Sequence, residues 1–276
     1  MSRHDVKLVG ILNTTPDSFS DANQFIDPNT ALEHAYNMAQ SGAHMIDVGG
    51  ESTRPGAEPV PLTEEWDRIM PVLDGLMHSY PDSVSVDTYH PETVRKIAAE
   101  IGPFVVNDVT GMNNPFMREA VAELSLRCIV SHLPFVAGGD IQKAHQAKPV
   151  DSAEQVVNEL GQRLEEMVNA GIEPSGILVD PGFGFGKDPR INRDLLRLPE
   201  LMHDDRFEYY IGVSRKSSLR REDFCGKPLA DFKTMGEDEE RQWLDNRSVE
   251  VAKIAVANGF SWIRVHNVGL HAAALL

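Results

Sequence analysis

Asparagine, aspartate, histidine, lysine and arginine recur in this chain at the ends of short apolar runs. Asn13 closes KLVGILN, Asp47 lies in HMIDVG ahead of Glu51-Ser52-Thr53-Arg54, and Asp87 follows SVSV. Asn107 and Asp108 end the next run, then come His132, Asp180, Ser214-Arg215-Lys216 and finally Arg264 and His266. Such a mixture offers acceptors for a polar ligand and fixed cations for an anionic one. Taken singly, each residue has a plainer reading. A strand-end Asp is commonly a helix N-cap, and Pro91 and Pro181 lie close to Asp87 and Asp180. His266 could be a core histidine bonded to backbone, but Arg264 within an apolar run is harder to place, because an unpaired buried charge is costly. Capping alone would not select this mixture after every run.

The elements that carry these residues can be read from the pattern. Strands are expected at 7–13, 44–49, 83–88, 104–109, 127–132, 176–181, 209–214 and 261–266. Most are Val/Ile-rich and apolar through their middles, as strands covered on both faces should be. The segments between have helical spacing: Leu32, Ala35 and Ala39 form one stripe, and Val157, Leu160, Leu164 and Val168 another. Ser152 with Gln155 reads as a capping box, and Gly171 and Gly259 stand where helices should stop. Strands alternating with helices over 276 residues predict a single-domain (β/α)8 barrel, an α/β fold of TIM-barrel type spanning 1–276. A doubly wound open sheet is the alternative, since periodicity does not report closure. In a barrel, the polar strand ends converge on one mouth. Two connections are long, 133–151 and 217–243; such segments are commonly lids or extra elements, although the charge-dense 217–243 also suits a surface helix with salt pairs.

Composition narrows the class. With 26 Lys+Arg against 42 Asp+Glu, the net charge of −16 argues against non-specific nucleic-acid binding. It leaves room for a small anion held by local cations. No apolar run is long enough to span a bilayer, and MSRHDV lacks a secretory h-region. The two cysteines, Cys128 in an apolar run and Cys225 in a polar one, make no disulfide framework and fit a reducing cytoplasm.

The motifs GILNTTPDSFSD (10–21), GGESTRPGA (49–57), SVDT (85–88), VND (106–108), DPGFGFGK (180–187), SRKS (214–217) and RVH (264–266) resemble those of the dihydropteroate synthases, in the same order along the chain. The resemblance implies a pterin-binding barrel enzyme that joins 4-aminobenzoate to 6-hydroxymethyl-7,8-dihydropterin diphosphate, giving 7,8-dihydropteroate and pyrophosphate in folate synthesis. It assigns pterin contacts to Asp87, Asn107, Asp180, Lys216 and Phe185. It assigns diphosphate contacts to Asn13, Arg54, Arg264 and His266, with Asn13 as a ligand of Mg²⁺. The 4-aminobenzoate pocket would be built by Phe19, Thr53 and Pro55, on loops 14–27 and 51–61 that close over the site, together with Phe185 and Ser217. Catalytic roles would fall to Asp87, Lys216, Arg264 and His266. A sulfonamide-sensitive cytoplasmic homodimer is the usual form of such an enzyme. Phe183 suits packing beneath the glycine turn better than Phe185 does. GFGFG is no dinucleotide fingerprint, because GxGxxG is absent.

The chain departs from the family pattern at four places. SHLPF (131–135) puts Leu133 where a methionine is usual, and Asn267 replaces the acid after RVH. DNRSV (245–249) replaces R-x-x-G-S/T, and 217–243 is longer than usual. Two other functions are compatible with part of the pattern: a non-catalytic or divergent pterin-binding paralogue, and a pterin-dependent methyltransferase working with a corrinoid protein. STRPG, SRKS and RVH count against the latter, which has no use for a diphosphate clamp.

Overall fold

A computed structural model describes residues 6–15, 27–52, 57–134, 149–227 and 229–276. Phe19, Thr53, Arg54 and Pro55, and most of the 133–151 connection, lie outside these residues. The strands are β1 (Lys7–Asn13), β2 (Ala43–Gly49), β3 (Val84–Asp87), β4 (Val105–Asp108), β5 (Arg127–Ser131), β6 (Ile177–Asp180), β7 (Glu208–Gly212) and β8 (Trp262–Val265). Each pairs in parallel with the next, and β1 pairs with β8 through the Lys7–Trp262 to Gly10–Val265 register. That last pairing closes the barrel and removes the open-sheet alternative.

Helices α1 (Pro28–Gln40), α2 (Leu62–Ser79), α3 (Pro91–Glu100), α4 (Pro115–Glu123), α5 (Ala153–Asn169), α6 (Pro189–Leu195), α7 (Leu198–Met202), α8 (Glu237–Ala257) and α9 (Val268–Leu275) surround it. Proline occupies the first position of α1, α3, α4 and α6, where its missing N–H costs no hydrogen bond. Asp27, Asn114, Ser152, Asp188 and Asn267 cap their helices through side-chain oxygens. Gln155 reaches back to the Asp151 N–H, one residue short of the reciprocal bond of a full capping box. Gly171 and Gly259 follow α5 and α8 in left-handed backbone, as the sequence predicts.

The helical stripes are rotated slightly from expectation. On α5 the buried residues are Val156, Leu160, Leu164 and Met167, while Val157 and Val168 are half-buried. On α1 they are Ala31, Ala35 and Met38, with Leu32 and Ala39 at the margin. Both helices carry an apolar arc wider than one stripe, and the strands beneath select its centre. The 217–243 segment is not one surface helix: a short 3-10 turn covers Ser217–Arg220, and α8 begins only at Glu237. Buried Arg247 pins the intervening chain by donating to the Glu222 carbonyl and to Asp223.

Inside the barrel, Val9, Met45, Val105, Ile129, Leu178, Tyr210 and Trp262 form a closed apolar plug. Side chains two residues apart on a strand share a face. Two residues beyond the plug, the inward positions are therefore Ile11, Asp47, Asn107, Ser131, Asp180, Gly212 and Arg264, with Ser85 on β3 in register with Asp47. Two further along, Asn13, Gly49, Asp87, Ser214 and His266 follow. The same alternation that fills the core thus stacks polar layers on top of it.

Candidate active site

The polar layer is a connected network. Asp47, fully buried, accepts from Ser85 Oγ at 2.6 Å, Asn107 Nδ2 at 3.0 Å and Arg264 Nε at 2.7 Å. Arg264 Nη2 also reaches Asp87 Oδ2 at 3.2 Å. Arg264 therefore does not stand as a lone cation; two carboxylates orient it and raise its pKa against the cost of burial. Asp87 is pushed up to about 7 by burial and by the like charge of Asp47, with Arg264 opposing. A group poised there can exchange charge with a ligand near neutral pH.

Asp180 stands across the mouth. Its Oδ1 accepts from the Gly182 N–H at 2.8 Å and its Oδ2 from Ser131 Oγ at 3.2 Å. Burial raises its pKa, opposed by the Gly182 N–H, Lys216, Lys187 and Ser131. Neither Asp87 nor Asp180 caps a helix: α3 starts at Pro91 behind His90, and α6 starts at Pro189 behind Asp188. The capping interpretation of both is thereby excluded.

Lys216 enters from the end of β7, with its ammonium 4.1 Å from the centre of the Phe185 ring. Burial lowers it to about 8, with Asp180 acting in the opposite direction. Arg215 holds left-handed backbone just before it, fixed by ion-pair contacts to Asp245 at 2.7 and 2.9 Å. Phe183 is buried against Phe224, whereas Phe185 is half-buried, matching the division expected from sequence. Ser217 is exposed at the start of the 3-10 turn, next to the buried hydroxyl of Ser218.

On the β8 side, His266 shares a 3.0 Å hydrogen bond between its Nδ1 and Ser214 Oγ. The His266 N–H donates to the same hydroxyl at 3.1 Å, so Ser214 holds both the backbone and the ring of the histidine. Asn267 caps α9 and donates to Asp245 Oδ2 at 3.2 Å. Asp245, the ion-pair partner of Arg215, is thus also a hydrogen-bond partner of Asn267. Asn13 lies at the end of β1 beside Gly49, where an added Cβ would fall 3.8 Å from Asn13 Oδ1 and 3.4 Å from Asp87 Cβ. Among the described residues, no group of three or more His, Cys, Asp or Glu side chains could hold a metal ion.

Asn13, Asp87, Asn107, Asp180, Phe185, Lys216, Ser217, Arg264 and His266 therefore all lie at the C-terminal mouth. The sequence places Asp47 among the polar strand ends and Lys187 at the close of DPGFGFGK, but assigns neither a role. Asp47 was detectable: it shares the inward parity of Met45, two residues earlier. Lys187 follows a glycine run and carries no periodic signal. His132 meets Glu159 at 2.7 Å, and burial lowers its pKa to about 4. Cys128 is buried and its thiol is pushed up to about 12, whereas Cys225 is half-buried.

A closed eight-stranded barrel with paired carboxylates, amide and cations at its mouth is the architecture of a ligand-binding barrel enzyme. Residues 9–266 match the family of pterin binding enzymes, and the chain belongs to that family. It is similar to the dihydropteroate synthase of Escherichia coli K12, with 37% identity over 266 residues, covering 95% of this chain and 86% of the relative. A structure of Xanthomonas albilineans dihydropteroate synthase with 4-aminobenzoic acid superposes with a TM-score of 0.80 at 34% identity, covering 98% of this chain and 90% of that one. The same enzyme with 7,8-dihydropteroate gives 0.78 at 31% identity, covering 100% and 93%.

Proposed function

We propose that this chain condenses 6-hydroxymethyl-7,8-dihydropterin diphosphate with 4-aminobenzoate to give 7,8-dihydropteroate and pyrophosphate, as a dihydropteroate synthase. The observation that supports the reading is the stacked polar layers at the strand ends, which bring Asp87, Asn107 and Asp180 together with Lys216 and Arg264. A pterin presents a flat edge of alternating donors and acceptors. Asp180 suits its 2-amino and N3 positions, Asn107 can both donate and accept, and Lys216 suits a ring carbonyl or nitrogen.

In the reaction, the bond between the exocyclic carbon and the diphosphate oxygen breaks, and its electron pair leaves with the diphosphate. Positive charge spreads over the pterin ring, where Asp87 and the Asp47–Asp87 pair stabilise it. Arg264 and His266 face the departing anion, and Arg54 is the further cation expected from sequence. The neutral arylamine then attacks, forming the carbon–nitrogen bond and losing its extra proton to water or pyrophosphate. Such a site works by fixed charges in a low-dielectric pocket rather than by a strong base.

Asn13 fits a Mg²⁺ requirement of a particular kind. Its single neutral oxygen, with no carboxylate cluster around it among the described residues, suits an ion that takes its other ligands from diphosphate and water. When bound, Mg²⁺ would neutralise charge on the leaving group. Phe19, Thr53, Pro55, Phe185 and Ser217 are assigned to the 4-aminobenzoate side, and the active form to a cytoplasmic homodimer. No helix among the described residues is long and apolar enough to cross a membrane. The test is product analysis: purified protein with both substrates and Mg²⁺ should form 7,8-dihydropteroate, and Asp180→Ala should form far less. Pterin binding without product would favour the non-catalytic paralogue.

A further inference from the structure

Lys187 has no part in the chemistry above, yet its ammonium is enclosed by protein. Nζ donates to three backbone carbonyls: His132 O at 3.1 Å, Gly182 O at 3.0 Å and Phe185 O at 3.0 Å. An ammonium has three N–H donors, so the set is complete. One carbonyl comes from the end of β5, and the others from the two ends of a single turn after β6. The turn is closed by the Phe185 N–H donating to Gly182 O at 3.0 Å, so Gly182 O accepts from both that N–H and Lys187. Gly182, Gly184 and Gly186 all adopt left-handed backbone, and a Cβ at Gly182 would lie 2.0 Å from His132 O. Converging carbonyls repel one another unless a cation or donor sits between them. Asn192 secures the outer side, accepting from the Gly184 N–H at 2.7 Å and donating to Lys187 O at 3.0 Å.

Two lysines therefore bracket Phe185. Lys187 fixes its carbonyl, and Lys216 lies 4.1 Å from the centre of its ring. We propose that Lys187 is a positioning residue for the 4-aminobenzoate half-site, its ammonium templating the 182–185 turn so that the Phe185 ring stands against Lys216. This builds on the reading that Phe185 lines the 4-aminobenzoate pocket. Lys187 reaches the half-site through backbone carbonyls, its charge is also felt by Asp180, and it touches no reacting atom.

The test is a kinetic cycle on the whole protein with Lys187→Met, Phe185→Ala and the double variant, measuring KM for each substrate separately. Methionine keeps the unbranched stem of the side chain, lacks the terminal nitrogen and so removes all three donors. Lys187→Met should raise KM for 4-aminobenzoate about tenfold, the loss expected when buried acceptors are stranded, and KM for the pterin diphosphate less than about threefold. In the Phe185→Ala background the same substitution should add less than about twofold, because residues acting through one element are not additive. Lys187→Gln, which retains two donors, should give a smaller rise and serves if the methionine variant fails to fold. An unchanged KM for 4-aminobenzoate in the foldable variant, or multiplicative effects in the cycle, would overturn the proposal. If the parent protein makes no dihydropteroate, the functional reading fails instead; if the parent is active, the variants judge Lys187 alone.

Discussion

Arg264 and Asp47 are 217 residues apart in sequence, and Arg264 Nε donates to Asp47 Oδ2 across 2.7 Å. The pair joins β8 to β2 through the barrel interior, one layer above the apolar plug. Because Asp47 also accepts from Ser85 and Asn107, one carboxylate orients both a cation and an amide of the site. It also sets the charge felt by Asp87.

That coupling predicts a shift in pH dependence. If ionised Asp87 stabilises the pterin cation, activity should fall as pH drops through about 7, where Asp87 takes up its proton. Asp47→Asn removes the like charge that helps hold Asp87 so high, so the acidic limb of kcat/KM for the pterin diphosphate should move to lower pH. The rate at the optimum should fall about 10- to 100-fold, since Arg264 loses a buried counter-charge. A pH–rate profile checks both effects; an unmoved acidic limb would contradict the coupling.

Stability should carry the same imprint. The Asp87 pKa is raised from 3.8 to about 7 in the folded protein, so the folded state binds this proton more tightly than the unfolded chain. Its contribution is most favourable below the unfolded value and declines as pH rises through the folded one. Asp87→Asn should therefore gain stability relative to the parent between pH 5 and pH 8. Calorimetric melting of both proteins at the two pH values tests this, and a constant difference in midpoint would speak against a raised Asp87.

Asp180→Ala should weaken a non-reactive pterin by about 10- to 100-fold, corresponding to about 1–3 kcal/mol for stranding a buried hydrogen-bond partner. The Gly182 N–H and Ser131 Oγ would lose their acceptor as well. Titration calorimetry reads the loss directly. Parent-like affinity would remove Asp180 from the pterin site.

Metal binding should depend on the anion. With Asn13 the expected protein ligand, Mg²⁺ should bind weakly alone and much more tightly when pyrophosphate is present. Titrations with and without pyrophosphate distinguish this from a preformed site, which would bind equally in both.

Most of the fold was legible because its strands are doubly covered and therefore apolar, with polar residues confined to one end. Closure was not, because pairing between β1 and β8 leaves no local mark. Asp87, Asn107 and Asp180 stood out at strand ends. Asp47 belongs to the same polar series, but its role is not legible because it lies within β2, where only the inward parity of Met45 and Asp47 reveals its direction. The onset of α8 at Glu237 was obscured by charge that serves both loop and helix, with Arg220 meeting Glu240 and Arg247 meeting Asp223. Lys187 closes the DPGFGFGK motif, but its role leaves no mark there, because its partners are backbone carbonyls, which every residue possesses.

Pyrophosphate release tests the central claim most directly. Purified protein given the pterin diphosphate, Mg²⁺ and 4-aminobenzoate should release pyrophosphate continuously, one per 7,8-dihydropteroate formed, and Asp180→Ala should slow both together. No turnover in the parent, or pyrophosphate released without matching dihydropteroate, would contradict the assignment of this barrel mouth as the site of the condensation.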